Sequence, residues 1–295
     1  MTFFGILNLN KPSGITSRDA VDRVVRLVGK KVKVGHAGTL DPLANGVLVV
    51  CLGPATRLID KVQEMPKRYR GTFLLGRTSD TEDIEGIVSE LPESPIPLRS
   101  AIEEAAASMI GTIQQRPPAF SALKVAGRRA YKLARRGEQP ELKPRPVTIH
   151  TLEVIDYEYP RLTLDIRCGS GTYVRSLGRD LAERLGSGAV MSELTRTEIG
   201  DFHLTKACEL DDLTAASLPG LMQSPLGAVP DWPVVELTAD MIQQISNGRN
   251  LPLSPPWEEA NELAAVDGQG TLVALLVRRG EDLFGPERVF VMEPK

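Results

Sequence analysis

Cysteine and histidine are scarce in this chain. Three cysteines, Cys51, Cys168 and Cys208, lie far apart in 295 residues and form no CxxC pair. A disulfide framework or zinc site is therefore not expected, and a reducing cytoplasm fits best. Three histidines, His36, His150 and His203, give no basis for a His-based metal site. No apolar run reaches the ~18 residues that a membrane helix needs. The opening Met1-Thr2-Phe3-Phe4-Gly5 lacks a basic n-region, so no signal peptide is evident. There is no Walker loop, dinucleotide fingerprint or internal repeat.

What remains is an ordinary soluble composition, 42% hydrophobic and 25% charged. The length suggests about two domains as a soft prior. Net charge is -3, which alone argues against a nucleic-acid binder. Its distribution argues the other way. From Arg116 to Arg145 there are nine basic residues (Arg116, Lys124, Arg128, Arg129, Lys132, Arg135, Arg136, Lys143, Arg145) against Glu138 and Glu141, a local excess of seven. Arg23, Arg26, Lys30, Lys31 and Lys33 form a second basic group. Clustered cations are the footprint of a polyanion partner, because phosphate contacts release counterions. A solvated basic surface loop is the plainer account.

Ile6 to Pro12 reads as a strand entering a turn. Thr16 or Ser17 can cap a helix with Ala20, Val21, Val24, Val25 and Val28 on one face, stopped by Gly29. Arg68 to Gly76 and Arg161 to Cys168 alternate as strands do. Ser79 to Gly86 is an acidic turn, and Leu98 to Gly111 is Ala-rich and helical. Gly169-Ser170-Gly171-Thr172 leads into a helix faced by Val174, Leu177, Leu181 and Leu185. Strands and helices alternate without βαβ spacing, which predicts an α+β domain. Leu221 to Pro233 has linker composition. Beyond it lie a short helix at Thr238 to Ser246, a β-hairpin around Asp267-Gly268-Gln269-Gly270 and a last strand at about Arg288 to Met292, a small β-barrel-like module. Residues 221–295 carry eleven acidic and five basic side chains, so charge alone does not mark this module as RNA-binding.

The most informative stretch runs from Gly35 to Val47, where glycines and a proline bracket Asp41 just ahead of the apolar run Val47–Leu52. A carboxylate on a tight loop beside a buried element is how a fold presents a reactive acid at a cleft floor. A turn or capping carboxylate is the bland alternative. Two further segments set polar or aromatic residues at special backbone positions: Lys67-Arg68-Tyr69-Arg70, opening a strand, and Gly171-Thr172-Tyr173-Val174-Arg175, opening a helix. Tyrosine can stack on a base, arginine can hold a carboxylate, and aspartate can act as base or nucleophile. Cys51 lies in an apolar run and is expected to be inert.

These segments, with Lys11-Pro12-Ser13-Gly14-Ile15-Thr16-Ser17, Arg116-Pro117-Pro118-Ala119-Phe120-Ser121-Ala122-Leu123-Lys124 and Leu194-Thr195-Arg196, occur in an order that resembles the TruB family of tRNA pseudouridine synthases, bacterial stand-alone type. The resemblance covers roughly residues 3 to 220, and the tail looks like that family's PUA-type module. It implies a mixed, mainly antiparallel central sheet with flanking helices, the pseudouridine synthase fold. A catalytic domain over 1–225, with a basic insertion at about 116–146, and a β-rich PUA-like domain over 231–295 are expected. The implied reaction converts uridine 55 in the T loop of tRNA to pseudouridine after base flipping, without cofactor or metal. Asp41 matches the catalytic aspartate, Tyr69 the tyrosine that stacks on the target base, and Arg175 the arginine paired with the aspartate. His36 matches a stacking histidine, Tyr173 and Leu194 pocket walls, Asp83 an acidic residue near the pocket, and Lys11 a supporting or phosphate-binding lysine. Lys124, Arg128, Arg129, Lys132, Arg135 and Arg136 are expected to grip the T arm. Phe120 stands where the family often has Tyr, and the acidic tail departs from the basic module expected. A monomer needing no protein partner and no membrane is implied. Rival readings are a non-catalytic tRNA-binding or folding protein on the same scaffold, a hydrolase using Cys51 or Asp41, and a guide-RNA-dependent pseudouridine synthase. The first leaves the joint presence of Asp41, Tyr69 and Arg175 unexplained.

Overall fold

The computed structural model describes residues 3–121, 124–125, 128–129, 142–253, 257 and 259–290, with 124–125 and 128–129 as backbone. The chain opens with β1 (Gly5–Lys11), helix α1 (Ser17–Val28), β2 (Val34–His36) and β3 (Asn45–Leu52). Thr16 caps α1 in a reciprocal box with Asp19, and Gly29 closes it, as its sequence predicts. Helix α2 (Ile59–Glu64), β4 (Lys67–Leu75), β5 (Arg77–Ser79), β6 (Val88–Glu90), helix α3 (Arg99–Ala107) and β7 (Gly111–Gln115) follow. The predicted helix from Leu98 to Gly111 is thus shorter, because Gly111 adopts φ 104° and opens a strand instead. Two-residue strands β8 (Lys124–Val125) and β9 (Arg128–Arg129) pair with each other. Then come β10 (Arg145–Glu158), β11 (Arg161–Cys168), helix α4 (Val174–Arg184), β12 (Ala189–Ile199), β13 (Phe202–His203) and β14 (Cys208–Glu209).

One ten-stranded sheet carries the order β14-β1-β3-β12-β4-β11-β10-β7, with β2 and β13 attached to β3 and β12. Only β1–β14 and β3–β12 are parallel; the other pairs are antiparallel. This is the mixed, mainly antiparallel α+β sheet that the resemblance implied. Side chains alternate across it. Leu7, Leu9, Leu48, Val50 and Leu52 meet Val21 and Val24 of α1 on one face. Phe73, Leu162, Leu164 and Ile166 meet Leu177 and Leu181 of α4 and Ile102 of α3 in a second core. Gly178 makes that packing close: a Cβ there would lie 2.1 Å from the Phe73 ring.

The remaining face of β1 and β3 explains why Val47 to Leu52 is apolar at every position. Ile6, Val47, Val49 and Cys51 are buried in one core with Ala228 and Val229, with Ala264, Leu272 and Leu275 of the C-terminal sheet, and with Phe290 just past its last strand. That sheet contains β15 (Val234–Glu236), β16 (Leu251–Pro252), β17 (Glu262–Val266), β18 (Leu272–Arg278) and β19 (Leu283–Val289), in the order β15-β17-β18-β19-β16. The expected hairpin is β17–β18. The last strand begins at Leu283, five residues before the predicted start, because Pro286 and Gly285 still register against β18 across a bulge. The stretch with linker composition is in fact packed. Gln223 exchanges two backbone hydrogen bonds with Ile6, at 2.8 and 3.0 Å, and Pro225, Ala228 and Val229 are buried.

Candidate active site

Asp41 sits in the turn between β2 and β3, and the surrounding backbone holds that turn from three sides. The Ser17 hydroxyl accepts from Leu40 N at 2.8 Å and donates to Leu40 O at 3.1 Å. Gly14 N donates to Pro42 O at 2.8 Å. From beneath, the buried Arg196 guanidinium donates to Val47 O (2.7 Å), Gly38 O (3.0 Å) and Thr39 O (3.4 Å). Gly46, at φ 104°, lets β3 lie against Arg196: a Cβ there would come within 2.2 Å of Arg196 O.

Arg175, in the first turn of α4, reaches across to this loop. Its Nε lies 3.1 Å from Asp41 Oδ2, and its Nη1 lies 3.0 Å from Asp83 Oδ2. Nη1 also donates to Thr81 O at 2.7 Å, and Nη2 to Phe120 O at 3.1 Å. The Arg175 and Asp83 side chains are 8% and 3% exposed, whereas Asp41 is 36% exposed. One carboxylate therefore anchors the guanidinium in the interior, and the other is left facing the cleft. Asp83 is fixed in turn by Thr81 Oγ1 (2.5 Å) and Glu85 N (3.1 Å). Glu82, which takes φ 63°, accepts from Ser176 Oγ at 2.6 Å and pairs with Arg179. The predicted acidic turn is thus also the brace of the site.

The cleft over Asp41 encloses about 340 Å³ and is lined by Tyr69, Tyr173, Arg175, Leu194 and Arg196 among others. That volume lies within the range of small-molecule pockets. Five of the residues singled out by sequence, Asp41, Tyr69, Tyr173, Arg175 and Leu194, converge here from β4, α4, β12 and the two loops that precede β3 and α4. Tyr69 is buried, and burial pushes its phenol pKa up, so the hydroxyl keeps its proton at neutral pH. Gln115 fixes Tyr173 through its backbone, accepting from N at 2.8 Å and donating to O at 3.1 Å.

Three residues take places outside the pocket lining. Lys11 is fully buried and donates to Pro12 O (2.9 Å) and Ile15 O (2.7 Å); burial lowers its pKa to about 8, against the raising effect of Asp41. Its Nζ is thus directed at the carbonyls of the loop that follows β1. Asp83 meets the pocket only by way of its contact with Arg175. His36 is half-buried at the end of β2, its Nδ1 has no hydrogen-bond partner among the described residues, and burial and then Arg196 lower its pKa. The side chains of Lys124, Arg128 and Arg129, and Lys132, Arg135 and Arg136 altogether, lie outside the described residues. Cys51 is buried, and burial pushes its thiol up to about 12, as its apolar surroundings predicted.

Sequence reasoning did not assign Arg196, Lys67 or Arg145 to the site, yet all three line the pocket. Lys67 is buried, donates to Met65 O at 2.6 Å and to Gln63 O, and is lowered to about 8 by burial. The available signal was a basic residue at an inward position of an apolar strand, as in Leu194-Thr195-Arg196.

Residues 26–174 match the TruB family pseudouridylate synthase N-terminal domain, and residues 175–223 match the tRNA pseudouridylate synthase B C-terminal domain. The chain belongs to the TruB family. It is 40% identical over 289 residues to tRNA pseudouridine synthase B of Parasynechococcus marenigrum, covering 97% of each chain. It is 41% identical to the protein of that name from Cutibacterium acnes, covering 92% of this chain and 98% of the relative. A chain in the crystal structure of a Cbf5-Nop10-Gar1 complex has TM-score 0.73 and 26% identity, over 98% of this TruB-family chain and 85% of that one.

Proposed function

We propose that this TruB-family enzyme isomerises uridine 55 in the T loop of tRNA, with Asp41 as the catalytic carboxylate. Conversion of a tRNA uridine to pseudouridine follows from the family and from full-length relatives of that name. The position, the flipping step and the residue roles are our reading. The observation that carries it is the exposed Asp41 carboxylate, held by an otherwise buried Asp83–Arg175 pair over a pocket whose lining includes Tyr69.

The reaction is balanced within the substrate. The N1–C1′ bond breaks and a C5–C1′ bond forms. C5 gives up its proton and N1 gains one. A uridine inside the T loop is stacked, so its reacting atoms must first leave the loop, at a cost of a few kcal/mol. Phosphate contacts from the 116–146 segment offset that cost. Tyr69 and Leu194 provide an apolar bed for the flipped ring, and Tyr173 a second aromatic wall. Arg175 holds Asp41 beside that ring, where it attacks the sugar or base or removes a sugar proton. Positioning of this kind accounts for a large part of rate enhancement. We assign residues 1–225 to catalysis and 231–295 to RNA binding, and take the enzyme to act as a cytoplasmic monomer without a guide RNA or protein partner. In support, full-length relatives at about 40% identity are named for tRNA. No helix among the described residues is long and apolar enough to cross a membrane.

The test is incubation of purified protein with unmodified tRNA, without additives, followed by mapping of pseudouridine. Asp41→Asn is expected to bind tRNA within about threefold of wild type and to form no product. Turnover near the wild-type rate would remove Asp41 from the mechanism.

A further inference from the structure

We propose that Arg145 is the receptor for a phosphate flanking the flipped uridine. Among the pocket's cations it has distinctive surroundings. Arg175 is paired with two carboxylates. Arg196 and Lys67 are buried against backbone carbonyls. Arg145 is half-exposed on the pocket lining and, among the described residues, makes no ion pair.

Its guanidinium is nevertheless held in place. The Cζ lies 5.1 Å from the centroid of the Tyr173 ring. One Nη donates to Gly171 O, and Gly171, at φ 83°, allows that approach, since a Cβ there would lie 3.3 Å from the same nitrogen. The sheet fixes the base of the arrangement. Arg145 opens β10 opposite Gln115 of β7, and the Gln115 side chain holds Tyr173 through both its backbone N and O. One register therefore sets both the arginine and the ring beneath it.

A guanidinium stacked on an aromatic face keeps its outer edge free for a planar, bidentate anion contact. With one N–H committed to Gly171, the rest of the fork is available. The anion brought to the mouth of this pocket is the phosphodiester of the nucleotide entering it. A flipped nucleotide carries its flanking phosphates with it, and a preorganised cation there captures the extruded state.

This inference rests on the RNA-modifying reading above, and its test is separable from that reading. RNA hairpins of the T arm would carry a neutral methylphosphonate at either linkage flanking the target uridine. Binding and single-turnover rates would be read for wild type, Arg145→Ala, Arg145→Gln and Arg145→Lys. Wild type is expected to lose about 10–100-fold in kcat/KM at one of the two linkages. Arg145→Ala and Arg145→Gln are expected to lose as much on unmodified RNA and no more on the methylphosphonate. Their salt slope of log K should fall by about 0.7, the single-strand value for one contact. Arg145→Lys, which keeps the charge, should keep the slope. If the variants slow turnover but retain the wild-type salt slope and methylphosphonate sensitivity, Arg145 only props the Gly171–Tyr173 turn and the proposal fails. The binding arms need no turnover, so they read the phosphate contact even if wild type forms no pseudouridine, an outcome that would overturn the proposed reaction instead.

Discussion

Arg175 shows how one side chain converts two ordinary acids into different instruments. Its partner Asp83 is buried and closed on all sides, while Asp41 faces the cleft. Removing the buried charge leaves the guanidinium without its anchor, and breaking such a pair is costly in itself. Asp83→Asn is therefore expected to lower kcat by about 10²-fold, through displacement of Arg175, with little change in tRNA affinity. Equal losses in affinity and turnover would mean that Asp83 serves binding instead. His36 gives a pH prediction. Its folded pKa lies below the usual 6.5, chiefly from burial. As pH falls below 6.5 the unfolded chain takes up a proton that the folded chain resists, so stability declines there and is restored above 6.5. Thermal melts of wild type and His36→Gln should diverge from pH 7.5 to 5.5, wild type losing more. Parallel curves would show that His36 titrates alike in both states. Asp41, Tyr69 and Arg175 stand out in sequence through the motifs that carry the family resemblance, and the structure brings all three to one pocket. Asp83 reads in sequence equally well as part of an acidic turn, because its pairing with Arg175 exists only in the folded chain.

Among the elements, α4 is the one that the proposed mechanism requires to hold still, since its first turn carries Arg175. Its position against β4 depends on Gly178, which leaves room for the Phe73 ring. Gly178→Ala overpacks that contact and is expected to destabilise by about 1–3 kcal/mol. A second change, Phe73→Leu, should recover part of the melting temperature, because it removes the clash. If the double variant is simply the sum of two losses, the contact is not the cause. The helix is predictable from Val174, Leu177 and Leu181, while Leu185, on the same expected face, falls just past its end as the C-cap. Helix α3, Arg99–Ala107, is shorter than its composition predicts. Alanine-rich composition continues the helical signal, but pairing of β7 with β10 claims the chain from Gly111. Likewise, the final strand was read late, since Pro286 obscures alternation that the bulged ladder accommodates.

At the scale of the whole molecule, the C-terminal sheet is joined to the rest by a shared core. Phe290 stacks with Phe4 at 5.5 Å between ring centroids and lies 5.3 Å from the Arg57 guanidinium carbon. Arg288 meets both oxygens of Asp60, at 2.6 and 2.5 Å, which lowers the Asp60 pKa. Phe290→Ala is expected to cost about 3–5 kcal/mol and to leave one cooperative unfolding transition. Two separated transitions would show that the sheets fold independently. The residues 221–233 looked like a linker because proline and glycine are frequent there, and composition does not reveal what a proline packs against. Local chemistry is already written in the chain: the Asp41 turn, the capped first helix, the alternating strands and the order of motifs that mark the family. Those features are set by backbone geometry and near neighbours. The assembled fold adds the pairing of Asp83 with Arg175, the cations spent on carbonyls and the cover over the outer face of β1 and β3. Such choices depend on contacts between residues far apart in the chain, whose burial and pairing exist only once the sheet has assembled.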